Sequence, residues 1–427
     1  MTAAEPTTAE VATPRRRLPL AAVLAAYVVS VTCTAVSALA IPWFVLTTTG
    51  SAAQTGLVVT AEMAPYVLMQ ATAGPAVERF GPRRSSWSAN LAAGVALLVV
   101  PVLYVNGHLG FGALLAVIAC AGAFRGVADC GSAPLVPAVA RLAGVPLERA
   151  AGLHSSASQG GQLVGAPLAA VLLTVVSPPT VLIVSGGAFF VAALLVALCV
   201  PRTVGAPAVR DEVADPYLRR LGAGLAFLTR DRVLLGVVVM VAVGNLLNAG
   251  LGSVYLPSWV REHDLSVAAV GTVAGGFSLG ALAGSLIGAW VAPRVNRWAL
   301  YSFGFLLGGA PWFFALAVSD EVVPVLAVVV LCGIAMGGIN PVLGAVQYER
   351  IPTEMLPRVL GAVKSLAWLG LPLGPLVAGV LVDGVGLVPT LLAVGVAYGA
   401  LTLTPFVVPT FRLLNGAAPT GPRPPSA

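Results

Sequence analysis

Apolar residues run in blocks of about 20 to 30 along this chain, and short clusters of glycine, proline and charge separate the blocks. A helix needs roughly 20 consecutive apolar residues to cross a bilayer. Twelve such blocks can be drawn, at 18–47, 52–77, 86–106, 110–136, 151–176, 179–200, 232–259, 266–292, 298–318, 322–347, 358–382 and 386–411. Inside lipid every backbone N–H and C=O must find a partner within the chain, so each block predicts a helix. Turns such as Val176-Ser177-Pro178-Pro179 and Ser319-Asp320-Glu321 separate neighbouring blocks.

The arginines give the blocks a direction. With the N-terminus inside, 20 of the 23 Lys and Arg residues fall in cytoplasmic segments, Arg261 alone falls in an outer loop, and Arg125 and Lys364 lie within blocks. Short cytoplasmic loops carry such an excess of Lys and Arg, and an odd number of spans would scramble it. Both ends are therefore expected in the cytoplasm. The longest break, 201–231, divides the blocks six and six. The expected fold is an all-α membrane protein, with 12 transmembrane helices in two pseudo-symmetric six-helix bundles at 18–200 and 232–411. A cytoplasmic tail at 1–17, the linker at 201–231 and a disordered tail at 412–427 complete the division. Within the linker, Asp215-Pro216 followed by Tyr217, Leu218, Leu221, Leu225 and Leu228 predicts a short helix lying on the inner membrane surface. The halves are weak copies: at an offset of 209, Arg149–Leu172 matches Arg358–Leu381 at eight of 24 positions. Parallel repeats of this kind are a mark of transporters built from two related bundles.

Composition narrows the chemistry. The chain is 58% hydrophobic and 9% charged, against about 25% charged in soluble domains. Its net charge of +6 is spread by topology rather than gathered in a patch, so a nucleic-acid partner is not expected. The five cysteines lie in apolar blocks without C-x-x-C spacing and the three histidines are scattered, so neither a disulfide framework nor a metal site is predicted. Gly276-Phe277-Ser278-Leu279-Gly280 fits G-x-S-x-G but sits in an apolar block, and the only lysine stands outside any phosphate-cradling loop. No catalytic residue and no cofactor is expected.

Ionisable residues inside the blocks are the strongest functional signals, because each charge costs at least about 2.5–3.5 kcal/mol there. Glu62, Tyr66 and Gln70 recur at i, i+4 and i+8 and lay a polar stripe down the second helix. A carboxylate at that depth serves proton coupling if it loads from one side and releases to the other; the plainer alternative is a structural acid. Arg125 and Asp129 stand one turn apart on the fourth helix and can pair with each other. Lys364 lies near an end of its block, within snorkelling reach of the surface. Polar residues on helices one, two, five, seven and ten are candidates for lining a substrate cavity: Thr32, Ser37, Tyr66, Gln159, Gln162, Asn245, Asn248 and Asn340. Interhelical hydrogen bonding is the alternative for each.

The turn after the second block reads Gly74-Pro-Ala-Val-Glu78-Arg79-Phe-Gly81-Pro-Arg83-Arg84. It resembles the signature between helices two and three of the major facilitator superfamily, with Pro82 standing where a basic residue is usual. Gly152-x8-Gly161-x3-Gly165-Ala-Pro167 is similar to the fifth-helix glycine motif of that family's drug exporters, its Gly-Pro pair split by Ala166. Helix packing alone is the competing explanation of those small residues. Ile41 to Leu46, Arg125 to Asp129, Asn340-Pro341, Glu349 to Pro352 and Pro372 to Pro375 look like the bacterial branch of drug and siderophore exporters. The resemblance implies a proton-driven antiporter. It would be a monomer in a bacterial cytoplasmic membrane, with small molecules, protons and lipid as partners. It also implies a conformational latch of Gly74, Glu78, Arg79, Gly81, Arg83, Arg84 and Asp129, and a proton-transfer role for Arg125 beside Glu62. Import or facilitated passage of a small metabolite on the same scaffold is the alternative.

Overall fold

The computed structural model describes residues 17–204, 217–291, 295–351 and 356–415. Among these, twelve rods traverse the molecule. They are α1 (Leu18–Thr49), α2 (Ala52–Thr72), α3 (Pro82–Val105), α4 (Phe111–Ala143), α5 (Leu147–Val175) and α6 (Pro178–Cys199), then α7 (Arg232–Glu262), α8 (Ala268–Val291), α9 (Arg297–Val318), α10 (Val322–Gly337 and Ile339–Arg350), α11 (Leu356–Trp368 and Leu373–Val385) and α12 (Leu387–Val407). Ten are long and apolar enough to cross a membrane by composition alone. The two that fall short are α2, diluted by Gln54, Glu62 and Gln70, and α10, whose apolar stretch Val322–Gly337 is 16 residues long.

Proline and glycine account for the interruptions. Pro257 has no N–H to give, and the turn before it widens into a π-helix at Leu251–Tyr255, where Tyr255 N–H reaches Gly250 O at 2.9 Å. Between the two segments of α11, around Gly370 and Pro372, the chain tightens into turns instead, with Leu371 N–H reaching Trp368 O at 3.1 Å. Two short helices lie outside the rods. Gly74–Phe80 fills the turn between α2 and α3, and Tyr217–Arg230 occupies the linker and packs on the first segment of α11 with Leu228 fully buried. The C-terminal region departs from expectation. Pro409–Asn415 forms a 3-10 turn whose Phe411 and Leu414 are buried, and Arg350 donates to Leu413 O at 2.7 Å. Residues 412–415, expected in a disordered tail, are thus ordered, and 416–427 lie outside the described residues.

The buried apolar side chains show how the halves meet. At the arginine-poor end, marked by Thr49, Asn106 and Val385, one continuous core joins both bundles; it includes Ile41, Phe44 and Val45 with Trp259, Phe313 and Leu391. At the arginine-rich end there are two separate cores. One, with Leu20, Val139 and Val196, belongs to α1–α6; the other, with Val233, Val346 and Phe411, belongs to α7–α12. Close contacts between bundles are concentrated at the shared core: α2 lies on α11, and α5 on α8. The ends of α2 and α11 are also tied by polar contacts. Asp383 accepts from Ser51 Oγ at 2.6 Å and from the N–H groups of Ala52 and Ala53 at 2.8 and 2.9 Å, and Thr60 Oγ1 donates to Pro372 O at 2.6 Å. Arg261 donates to Leu46 O across the same seam at 3.2 Å.

Candidate functional site

The site is built where α4 lies against α2. Gly122 and Gly126 face the α2 backbone so closely that a side-chain carbon on either would collide with the carbonyl oxygens of Glu62 and Tyr66 respectively. Small residues at a four-residue spacing let two helix backbones approach in this way. That approach brings Arg125, between the two glycines, onto Glu62 in a direct ion pair. Glu62 is 3% exposed and Arg125 6%. Isolated, either charge would be costly in the membrane interior; paired, they neutralise each other, and removing one partner costs about 3–5 kcal/mol.

The second acid has different company. Tyr66 donates its hydroxyl proton to Asp129 Oδ2 at 2.9 Å, and Gln70 Nε2 donates to Tyr66 at 3.1 Å. The Arg125 guanidinium carbon stands 5.3 Å from the centre of the Tyr66 ring. So the polar stripe of α2 and the two ionisable residues of α4 form one cluster. The arrangement corrects one alternative: Arg125 does not pair with Asp129 one turn away on its own helix but with Glu62 across the helix contact. The reason is the intimate α2–α4 packing, which places the Glu62 carboxylate directly beside the guanidinium.

The turn signature is assembled only in part. Gly81 takes φ +87°, a left-handed conformation that favours glycine, between Gly74–Phe80 and α3. Arg83 donates to Val200 O at 2.8 Å and to Ala197 O, binding the carbonyl end of α6, where the helix dipole favours a cation. It is not brought to Asp129, which lies deeper and faces Tyr66. The expected tie between these two is therefore not made in this conformation. Arg79 lies over the Phe80 ring at 5.8 Å, Arg84 is exposed, and Gly74 faces open space. The side chains of Glu78 and Asn340 and the surroundings of Gly152 lie outside the described residues.

The fifth-helix motif makes two contacts. Gly161 and Gly165 let α5 close on Val31, Thr32 and Ala35 of α1, while Pro167 meets Gly275 of α8 in the opposite bundle. Among the cavity candidates, Gln159 and Gln162 are exposed, and Thr32 sits at the α1–α5 seam. Ser37 is 1% exposed inside the shared core, so in this conformation it lines no cavity. Asn245 donates to Ala367 O at 2.9 Å and Asn248 to Tyr398 at 3.2 Å, so both tie helices together within the second bundle. Three features were not found from the sequence: the Asp383 tie, the π-helix of α7, and the contact of the Tyr27 and His154 rings at 4.0 Å. A lone acid near a helix end and a pair of aromatic residues 127 positions apart carry no local signal.

The profile of the Major Facilitator Superfamily matches residues 23–266, from α1 through α7, and residues 239–426, from α7 onward. The chain belongs to this superfamily. It is 29% identical over 389 residues to the multidrug efflux pump Tap of Mycobacterium tuberculosis, covering 89% of this chain and 91% of the relative. With the pump of the same name from Mycolicibacterium fortuitum it shares 29% over 415 residues, covering 94% and 98%. Among solved structures, a bacterial homologue of the lysosomal transporter Spinster, inward-facing and unoccupied, superimposes with a TM-score of 0.72 at 13% identity, covering 96% of this chain and 100% of that one. The nucleoside transporter NupG does so at 0.72 and 12%, covering 91% and 98%. The solved structures show the fold, and membership of the superfamily makes the chain a multi-pass membrane transporter rather than an enzyme.

Proposed function

We propose that this superfamily member is a proton-driven antiporter that exports amphipathic small molecules across a bacterial cytoplasmic membrane. The observation that carries the reading is the buried Glu62–Arg125 pair, with Asp129 one helical turn beyond the arginine. One guanidinium serves two acids. When Glu62 binds a proton its charge is lost and Arg125 is released from α2; Asp129, on the same face of α4, then becomes its nearest anion. When Glu62 gives the proton up, the interhelical pair re-forms. Proton binding thus changes the attachment of α2 to α4, and α2 is also the helix clamped to α11 at the arginine-poor end. With the arginine-rich end in the cytoplasm, the conformation described is closed outward and open inward. The ion-paired, deprotonated state of Glu62 is the one expected after a proton has been delivered inside.

The full-length similarity to multidrug efflux pumps supports export, and the exposed amides of Gln159 and Gln162 suit a cargo with polar groups better than a small ion. The test uses a drug-susceptible host and inverted vesicles made from it. Expression should raise resistance to a panel of amphipathic antibiotics, and a protonophore should abolish the gain. In the vesicles, Glu62→Gln should eliminate proton-driven uptake while leaving exchange down a drug gradient. Proton-driven uptake unchanged in Glu62→Gln would falsify the coupling role, and accumulation of drug in intact cells would refute export.

A further inference from the structure

Beside Asp129, among α1, α3, α4 and α6, lies a small cavity with room for about one water molecule. Six polar residues line it, Tyr27, Ser30, Ser86, Asn90, Asp129 and Ser132, in a chain that is 58% hydrophobic. Much of this polar lining is held in place. Ser30 Oγ donates to Asn90 Oδ1 at 3.3 Å, Asn90 Nδ2 to Ser86 O at 2.8 Å, and Ser132 Oγ to Asp129 O at 3.0 Å. Asp129 lines the cavity while its Oδ2 accepts from Tyr66. The cavity lies on the arginine-rich side: Ser86 is in the first turns of α3, Val196 in the last turn of α6, and Ser132 and Leu135 follow Asp129 toward that end. All the residues that line it belong to helices of the first bundle. The other titratable or charged groups facing Asp129 are Arg125 of its own helix, Tyr66 of α2, His154 of α5 and Tyr27 of α1.

We propose that this cavity is a water site, and that Asp129 exchanges its proton with the arginine-rich side through it. The proposal rests on the antiporter reading and deepens it. In the step, the carboxyl O–H of Asp129 breaks, the carboxylate re-forms, and the proton passes to the water as hydronium, which hands it outward; loading is the reverse. The serine, asparagine and tyrosine groups supply the two to four partners that a buried water needs. Release from Asp129 restores an anion one turn from Arg125, so the charge balance among Glu62, Arg125 and Asp129 is reset.

The test reads protons and needs no substrate. Infrared difference spectra of the full chain in nanodiscs, acid minus neutral, should show a protonated-carboxyl band that disappears in Asp129→Asn. Its hydrogen–deuterium exchange should slow about tenfold in Ala128→Leu, whose side chain fills the water site, and stay at the wild-type rate in Ala128→Gly. Ser30→Ala, which removes the hydroxyl at little change in volume, should also slow it and serves if Ala128→Leu fails to fold. Wild-type exchange in the filled or depolarised cavity, or a carboxyl spectrum indifferent to Asp129→Asn, overturns the proposal. Loss of drug antiport leaves these spectra untouched, so the two readings fail separately.

Discussion

Arg125 has one acid a helical turn away and another on the neighbouring helix, and it binds the neighbour. Helix geometry alone favours the i,i+4 partner, worth only about 0.2–0.5 kcal/mol on an exposed helix. In a dry contact the ordering changes. There, leaving a carboxylate unpaired costs several kcal/mol, while Asp129 already has a hydroxyl donor in Tyr66. The consequence is non-additivity. Glu62→Leu and Arg125→Leu should each lower stability by about 3–5 kcal/mol, whereas the double variant should lose less than either, because no orphan charge remains. Thermal unfolding of the four proteins in one detergent measures this; additive losses would show that the pair carries no interaction. Both residues were legible in the sequence, since an ionisable group in an apolar block stands out. Their partnership was not, because it depends on how near two helices come.

At the scale of helices, small residues set that nearness. Gly122 and Gly126 bring α4 onto α2, and on the other face of α2 Gly56 meets Pro375 while Gly379 of α11 meets Ala52. The same helix is therefore packed closely to its own bundle in mid-membrane and to the opposite bundle at its start. Asp383 completes the second contact by accepting from the first N–H groups of α2, the position where a helix favours an anion. The proposed antiport, by alternating access, must break this tie. Removing the acid in Asp383→Ala forfeits a cap worth about 1 kcal/mol or more, enough to shift a two-state equilibrium at least about fivefold. The expected outcome is a larger population of long distances between spin labels replacing Thr49 and Val385, read by pulsed electron resonance. An unchanged distance distribution would mean that the apolar seam alone holds the end shut. The fifth-helix glycines belong to this scale too: they pack α5 on α1 while Pro167 reaches α8, so in this conformation the motif acts through helix contact.

For the whole molecule, the distribution of buried side chains states the conformation more simply than any single contact. One core at the arginine-poor end and two at the other describe bundles hinged shut on one side and parted on the opposite side. Orientation in the membrane is checked by labelling. In a version with the five native cysteines replaced, a cysteine at Asn106 should react with a membrane-impermeant maleimide in intact cells, and one at Gly144 only after permeabilisation. The reverse pattern would invert the inward-facing assignment and the direction of transport with it.

Hydropathy, the placement of arginine and a weak internal repeat were sufficient for twelve helices in two bundles, because lipid forces each apolar block to satisfy its own backbone and short loops record which side they face. They also marked Glu62, Arg125 and Asp129 as residues in need of a reason, since charge in hydrocarbon is costly wherever it stands. What the linear pattern could not decide was who meets whom. The Glu62–Arg125 pair, the cap that Asp383 places on α2, and the water-sized cavity beside Asp129 each join residues more than 55 positions apart. Such meetings are set by close packing of backbones in three dimensions, and only the folded arrangement contains that information.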